Sequence, residues 1–320
     1  MMLRDAESMS RGAQRLSPAF FLLMLAALLV APPAASPARA WGTTGHMLTA
    51  QIAYDSLSPQ AREEANRLIA VLAAVDPRTP HFVPASVWMD EVRGSGLRAM
   101  DTWHYINLPI NAGGLADVPA ALETNVVWAI DQAAETLANP EATDFERAFM
   151  LRILLHVVGD VHQPLHCVGR FTTALPKGDR GGNLFFIQPV EEGAPDQLHW
   201  LWDATVGLFP RIAVEDDWQP QIAALAERIM TEHPRPVLPP WQRGAAEEWA
   251  REGFELARSV VYDGVAEGAP VTREYVLRAH RTISERLALA GYRLAQILEA
   301  TLVPPTTDAE LSDDAAAAAE

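Results

Sequence analysis

MLRILLHVVGDVHQPLH, residues 150–166, is the stretch that says most about this chain. Residues 150–161 form an apolar run that His156 and Asp160 interrupt, four positions apart. On a helix this spacing places both side chains on one face. An imidazole and a carboxylate are costly to bury in apolar surroundings unless a cation binds them. The stretch therefore predicts a buried helix that carries two metal ligands, with His166 following a Gln163–Pro164 break.

The same spacing returns at His199 and Asp203, in QLHWLWD (residues 197–203). One such pair alone is more typical of a surface ion pair on a helix. Two pairs, each among large apolar residues, favour metal binding.

Two other segments add possible ligands. WMDEVR (residues 88–93) carries Asp90 and Arg93, and TWHYIN (residues 102–107) carries His104 in an aromatic setting. Taken singly, each segment has an ordinary structural interpretation: Asp90 and Arg93 would form an i, i+3 surface pair, and His104 would be a satisfied core imidazole.

The N-terminal region has the pattern of a secretory signal. Three arginines precede the apolar run Phe20–Val30, and the segment ends in Ala38-Arg39-Ala40, a small-x-small cleavage site. The run is too short to span a bilayer, which takes about 20 residues. We therefore predict cleavage after residue 40 and a secreted or periplasmic protein with no stable membrane association. A retained anchor is the alternative, which the cleavage pattern disfavours.

Cleavage before Trp41 would create a possible metal ligand. It would free an α-amino group with a pKa near 8, able to bind a cation together with the Trp41 carbonyl oxygen. His46, five residues later in WGTTGH, could complete such a site.

The charge of the chain limits how it can hold nucleic acid. The formal charge is −16, and because residues 1–40 carry four arginines and two acidic residues, the rest carries −18. Such a chain repels phosphate unless bound cations intervene, so the charge argues against a plain nucleic-acid-binding module. Cys167 is the only cysteine, which excludes an internal disulfide.

Periodic apolar spacing predicts an all-α, single mainly helical domain over residues 41–303. Only the apolar run in Asn183–Pro189 predicts a strand, and with it a minor β-hairpin. Residues 304–320 are acidic and alanine-rich and are predicted to be disordered. The predicted helices are Ser58–Ala74, Leu115–Ala138, Asp144–Val161, Ala223–Met230, Ala245–Val261 and Thr272–Ala300.

Together these segments resemble the zinc-dependent single-strand nuclease and 3′-nucleotidase family, the S1/P1 type, whose fold is shared with zinc phospholipase C. The resemblance rests on six segments in order: WGTTGH (41–46), WMDEVR (88–93), HYIN (104–107), LLHVVGDVHQPLH (154–166), GGN (181–183) and QLHWLWD (197–203). It implies hydrolysis of single-stranded DNA or RNA to 5′-phosphate products by a zinc-bridging hydroxide, and 3′-nucleotidase activity. A monomer is expected.

The resemblance implies three zinc ions and nine ligand residues. The first would be held by Asp90, His104, His156 and Asp160; the second by Trp41, His46 and the bridging Asp160; the third by His166, His199 and Asp203. Nitrogen and oxygen ligands suit zinc, although spacing alone does not exclude manganese or iron.

The family also suggests roles for residues beside the metal. Arg93 would neutralise the phosphate, and Asp90 would orient the attacking water as well as bind metal. Tyr105 would stack on a base, with core packing as its alternative. Asn107 stands where fungal enzymes have a base-contacting aspartate.

The other histidines match no ligand position, and solvated or supporting roles are expected for His81, His162, His233 and His280. Packing is expected for Cys167.

Two other functions compete with this interpretation. A zinc phospholipase C would also begin at a mature tryptophan, but its second His-x-x-x pair ends in glutamate, where this chain has Asp203. A non-catalytic zinc-binding protein would have no use for Arg93, a residue that binds no metal.

Overall fold

Helices account for most of the residues that the computed structural model describes, which are 41–235 and 245–303. The predicted signal segment (residues 1–40) and acidic tail (residues 304–320) lie outside these ranges. The helices are α1 (Thr43–Ser56), α2 (Pro59–Ala73), α3 (Phe82–Ala85), α4 (Trp88–Gly94), α5 (Val126–Ala138), α6 (Asp144–Val161), α7 (Leu198–Asp203), α8 (Trp218–Glu232), α9 (Ala245–Leu256) and α10 (Arg273–Leu302).

Capping residues explain where the long helices begin. Ser58 accepts a hydrogen bond from the Ala61 amide ahead of α2, and Thr272 does the same for Tyr275 ahead of α10. Thr143 and Glu146 form a reciprocal capping box at the start of α6. The predicted bounds of α6 agree with the structure at both ends.

One helix begins later than predicted. The expected helix from Leu115 starts only at Val126, where the Asn125 side chain caps the amides of Val127 and Trp128. Pro119 lies in the intervening segment, and a proline disfavours helical geometry in the residue before it. Apolar periodicity alone cannot reveal that this helix starts only at Val126, because residues 115–122 have apolar side chains at near-helical spacing.

The buried helix α6 is the centre of the fold. Its residues from Ile153 to Val161 are buried on every side, which is typical of a helix enclosed by others. Helices α2, α4, α5 and α10 pack around it, and α1 lies between α10 and α8. The all-helical prediction is confirmed.

The minor β structure differs from the predicted hairpin. Strands β1 (Leu108–Asn111) and β2 (Val168–Phe171) pair in parallel, with Leu108 opposite Val168. The segment Asn183–Pro189 forms only isolated bridges, from Phe186 to Gln197 and from Gln188 to Pro270. Its two partners belong to different segments, so no continuous ladder forms.

Two 3₁₀ turns, Asp101–His104 and Pro164–Cys167, stand just ahead of β1 and β2. Across the described ranges, every helix is too short or too polar to span a membrane.

Candidate metal centre

Seven chain segments bring the predicted metal ligands together around the C-terminal end of α6. They come from Trp41, α1, α4, the two 3₁₀ turns, α6 itself and α7. Every one of these side chains is buried, with an exposed fraction of 8% or less. The residues are Trp41, His46, Asp90, His104, His156, Asp160, His166, His199 and Asp203.

Asp160 lies at the centre of this group. Its Oδ1 is 3.4 Å from His46 Nε2, and its Oδ2 is 3.4 Å from His156 Nε2. His166 approaches Oδ1 from a third direction, with its Nδ1 at 3.8 Å. One carboxylate therefore faces imidazoles from α1, α6 and the turn after α6, as a bridging ligand would.

Helix α1 can approach α6 this closely because residue 159 is glycine. A Cβ atom added to Gly159 would lie 2.9 Å from His46 Nδ1 and 3.2 Å from His46 Cε1. His46 also stacks on His156, with ring centroids 3.9 Å apart. The Trp41 side chain packs beside Gly45 and Gly159, which places residue 41 next to the same ligands.

The third predicted group forms around α7. His199 Nε2 lies 3.3 Å from Asp203 Oδ2, and His166 Nε2 lies 4.0 Å from Asp203 Oδ1. The Gly42 amide donates a 2.8 Å hydrogen bond to the Asp203 carbonyl, which ties the start of α1 to the end of α7.

Side-chain atoms of three sets lie within 4.8 Å of one another: His46, Asp90 and His156; His104, His156 and Asp160; and His166, His199 and Asp203. The third set is the predicted one. The first two sets share His156. Together they contain side chains from both of the other predicted sites, so these two sites form one continuous group.

Backbone carbonyls orient the imidazoles. Nδ1 of four histidines lies 2.6–3.0 Å from a carbonyl oxygen, an arrangement in which Nδ1 donates and Nε2 keeps its lone pair. Such hydrogen bonds commonly support metal-binding histidines. The pairs are His104 with Met100, His156 with Ser86, His166 with His104 and His199 with Gly181.

The ligand atoms themselves fit a metal. Buried atoms without a hydrogen-bond partner among the described residues include both carboxylate oxygens of Asp160 and Nε2 of His46, His104, His156 and His166. Contacts of 3.3–3.4 Å are long for hydrogen bonds. They match the roughly 3.3 Å between two ligands that are each about 2.05 Å from one tetrahedral zinc. The chemistry and spacing therefore fit divalent metal ions.

Burial controls the charge of these groups. It raises the pKa of the Asp160 carboxyl well above its usual value, and repulsion from Asp90 and Asp203 raises it further. Burial lowers the pKa of His104, His156 and His199 to about 4. The imidazoles are thus neutral at neutral pH and available as ligands, and a bound cation would offset the cost of burying the charged carboxylates.

Arg93 projects from α4 towards the same group. Its charge lowers the pKa of both Asp160 and Asp203, so its guanidinium is close to the centre. Asp101 holds it through a 3.1 Å contact to Nε, and only 17% of the side chain is exposed. Asp90 lies one helical turn before Arg93 on α4 and belongs to the first of the three sets.

Gln163 is a supporting residue that the sequence interpretation treated only as part of a helix break. It is fully buried, its amide nitrogen donates to Asp203 Oδ1 at 2.8 Å, and its amide oxygen accepts from the Leu165 amide at 2.7 Å. Its position between Asp160 and His166, two predicted ligands, was the available signal. Asp101 was missed because its spacing from Arg93 follows no periodic pattern.

The predicted base-binding residues flank the centre. Tyr105 follows His104 directly and Asn107 lies three residues after it; both are half-buried, and Asn107 packs near Gly169 of β2. Their role stays a prediction.

The remaining histidines lie outside the three sets. His162, for which a solvated or supporting role was expected, is fully buried: its Nδ1 lies 2.7 Å from the Val158 carbonyl and its Nε2 lies 2.9 Å from Arg293. Cys167 is a buried free thiol whose Sγ donates to the Val161 carbonyl, and burial raises its pKa to about 12. Its neutral thiol is part of the packing.

Comparison with known proteins agrees with this geometry. The model of the S1/P1 nuclease family matches residues 41–303, which include every segment of the centre. The chain belongs to the S1/P1 nuclease family. It is therefore a hydrolytic nuclease, which resolves the choice against phospholipase C and against a non-catalytic zinc-binding protein.

Individual relatives are distant but similar over most of their length. Endonuclease 1 of Arabidopsis thaliana is 26% identical over 82% of this chain and 87% of its own. Nuclease S1 of Aspergillus oryzae is 24% identical over 83% of this chain and 93% of its own. Nuclease P1 of Penicillium citrinum is 25% identical over 80% of this chain and 95% of its own. This S1/P1 nuclease thus spans most of the length of each relative.

Proposed function

We propose that this nuclease binds three zinc ions and hydrolyses single-stranded DNA and RNA to 5′-phosphate products, and that it also removes phosphate from 3′-nucleotides. The observation that carries the proposal is the convergence of buried histidines whose Nε2 atoms face Asp160 or Asp203 instead of hydrogen-bond partners.

Two of the three proposed ions share Asp160. Asp90, His104, His156 and Asp160 would hold the first ion. His46, Asp160 and the freed amine and carbonyl of Trp41 would hold the second. His166, His199 and Asp203 would hold the third.

Zinc bound there would supply Lewis acidity, lowering the pKa of water and offsetting negative charge on the phosphate. The protein residues provide position and charge. Arg93 would hold a non-bridging phosphate oxygen through its planar guanidinium. Asp101 fixes the direction of that guanidinium. Asp90 would orient the attacking water, and Tyr105 would offer its ring to an unpaired base.

The first experiment combines metal analysis with digestion of matched single-stranded and duplex DNA. A chain that begins at Trp41 is expected to contain about three zinc ions, the sum of the three ligand sets, and to cleave the single strand selectively. Equal cleavage of both substrates, or release of phosphocholine from lipid, would contradict the proposal. Release of phosphate from a 3′-nucleotide tests the second activity.

Arg93→Ala tests the catalytic assignment. Loss of the guanidinium should lower kcat about 10²- to 10³-fold, as does removal of other groups that stabilise developing charge, while zinc content stays unchanged. Arg98→Ala is the matched control, because Arg98 contacts the same Asp101 at 2.9 Å but is 56% exposed. Similar kcat values for the two variants would remove Arg93 from the mechanism.

We also propose that residues 1–40 are removed on export to the periplasm or the medium, that the product is a monomer, and that Trp41 then serves as a ligand. The proposal is supported by the burial of Trp41 beside Gly45 and Gly159. Sequencing the N-terminus of the exported protein tests it. A chain with extra residues ahead of Trp41 should lose one zinc and most activity; full activity there would exclude the amine as a ligand.

A further inference from the structure

The first turn of α1 lacks the local contacts that usually fix the start of a helix. Its N-cap residue is Gly42, which has no side chain to accept from the free amides, and the turn contains no acidic residue. Chain ends of this kind fray unless other segments hold them. Yet Trp41 and His46, the residues proposed for the second ion, lie on either side of this turn and are fully buried. Contacts from elsewhere in the chain must therefore fix it.

Thr44 makes such a contact through its hydroxyl group. The hydroxyl donates to the Pro210 carbonyl at 3.0 Å and accepts from the Ile212 amide at 2.8 Å. Both Thr44 and Ile212 are buried, so loss of the hydroxyl would leave a buried amide without its acceptor. Thr44 thus attaches the first turn of α1 to the loop of residues 204–212, which follows α7.

The 204–212 loop is a rigid support. Thr205 and Val206 have positive φ angles of 55° and 51°, a conformation that β-branched residues rarely adopt. Such backbone persists only where neighbouring groups hold it. Here the Phe209 amide donates to Thr205 Oγ1 at 3.3 Å, and Nε2 of His280 on α10 donates to the Val206 carbonyl at 2.9 Å. The loop therefore has little freedom to change its shape.

The same loop begins at a residue of the third ligand group. Asp203 ends α7, and its carbonyl accepts the hydrogen bond from the Gly42 amide. The first turn of α1 is therefore held at two points, by Gly42 just before the loop and by Thr44 near its other end. The Gly42 contact uses only backbone atoms. The Thr44 hydroxyl is therefore the contact that depends on the identity of the side chain.

Thr44 and His46 hold α1 from different sides. Successive residues of a helix are about 100° apart, so positions 44 and 46 differ by about 200° around the axis. The Thr44 hydroxyl binds the 204–212 loop, whereas His46 Nε2 lies 3.4 Å from Asp160 Oδ1 on α6. The start of α1 is thus fixed between the loop and the ligands of α6.

We infer that Thr44 is a positioning residue for the second ion. By binding the 204–212 loop, it holds Trp41 and His46 where both can share an ion with Asp160. The inference rests on the proposed function, which places an ion at that group. It predicts that the hydroxyl of residue 44, and not merely the size of the side chain, controls zinc affinity there.

Zinc titration of metal-free chains that begin at Trp41 tests the inference. Thr44→Val keeps the shape of threonine but removes the hydroxyl, so the affinity of the second ion should fall about tenfold, as for other groups that support metal ligands. Thr44→Ser keeps the hydroxyl and should restore the native affinity. Thr43→Val is the control, because it makes the same change at the neighbouring, half-buried position. Equal zinc affinities of Thr44→Val and Thr43→Val would overturn the inference.

His46→Ala separates positioning from a general loss of stability. This substitution removes a ligand of the second ion, so adding Thr44→Val to it should leave the affinities of the other two ions unchanged. A further loss in the double variant would show that Thr44 supports the whole fold, and would overturn the inference. Failure of the proposed function would look different, because His46→Ala alone would then leave zinc binding unchanged.

Discussion

Gln163 shows how a single neutral side chain can orient a proposed metal ligand. Its amide donates to one oxygen of Asp203, which leaves the other oxygen 3.3 Å from His199 Nε2. The side-chain oxygen of Gln163 accepts a hydrogen bond from the Leu165 amide, in the turn that carries His166. Two of the three side chains of the third group, Asp203 and His166, therefore depend on one buried amide, as is common for the partners of metal ligands.

Replacing this amide should weaken one zinc and spare the others. Gln163→Leu keeps most of the volume but leaves Asp203 and the Leu165 amide without their partner. We expect zinc affinity at the His166, His199 and Asp203 group to fall about 10- to 100-fold. Zinc titration of metal-free protein measures this. Gln221→Leu is the control, since Gln221 is exposed and its amide nitrogen donates to the carbonyl of Asp217 on the protein surface. A uniform loss at all three groups would argue for general unfolding instead.

Gly159 is a second position where one residue controls ligand geometry. Alanine favours helix over glycine by about 1 kcal/mol. Gly159→Ala should nevertheless displace His46, because the added Cβ would lie 2.9 Å from His46 Nδ1. We expect lower zinc content at the His46 group. Gly94→Ala, where nothing lies within 4 Å of the added Cβ, provides the comparison. Unchanged zinc content in Gly159→Ala would show that α1 can move away freely.

At the scale of the element, helix α6 joins stability to chemistry. Its first turn is held by the Thr143–Glu146 capping box, and its last two turns carry His156 and Asp160. The C-terminal end of a helix carries partial negative charge, which favours cations. The metal centre therefore lies at the end of the central helix that suits positive ions.

The two ends of α6 should respond separately to mutation. Thr143→Ala removes the cap and should cost about 1 kcal/mol of unfolding free energy, a fall in Tm of about 2–4 °C. Zinc content and kcat should stay the same, because the cap lies nearly five helical turns from Asp160. Thermal melting with metal analysis tests this. Thr173→Ala, at an exposed loop position, should leave Tm unchanged; an equal fall would rule out the cap as the cause.

For the whole molecule, the ligand cluster opposes folding when metal is absent. The buried Asp160 carboxylate is repelled by Asp90 and Asp203, and its oxygens have no hydrogen-bond partner within the described chain. Functional sites commonly cost stability in this way. Bound cations reverse the effect, since a ligand that binds only the native state stabilises it.

This balance predicts opposite effects of one substitution. Asp160→Asn should raise the Tm of metal-free protein by at least about 2 °C, because it removes a buried charge without changing the shape of the side chain. In excess zinc the same variant should melt below the native protein, since it loses a bridging ligand. Melting curves in chelator and in zinc measure both. A lower Tm under both conditions would mean that Asp160 supports the fold without metal.

The sequence by itself determined the helical class, the family and the two His–Asp pairs whose grouping fits a metal. These follow from local patterns: His156 and Asp160 share a helix face through their spacing, and the caps of α2, α6 and α10 depend on adjacent residues. The helix start at Asn125 and the parallel pairing of β1 with β2 were not predictable in this way, because each depends on geometry that periodicity does not record.

Only the tertiary structure decided which ligands meet and what supports them. Asp160 joins α1 to α6, and the Gly42 amide reaches the Asp203 carbonyl across 161 positions of chain. The carbonyls of Ser86 and Gly181 that orient His156 and His199 come from distant segments. Contacts between distant segments depend on how helices pack in three dimensions, and a spacing pattern along one helix contains no information about its neighbours.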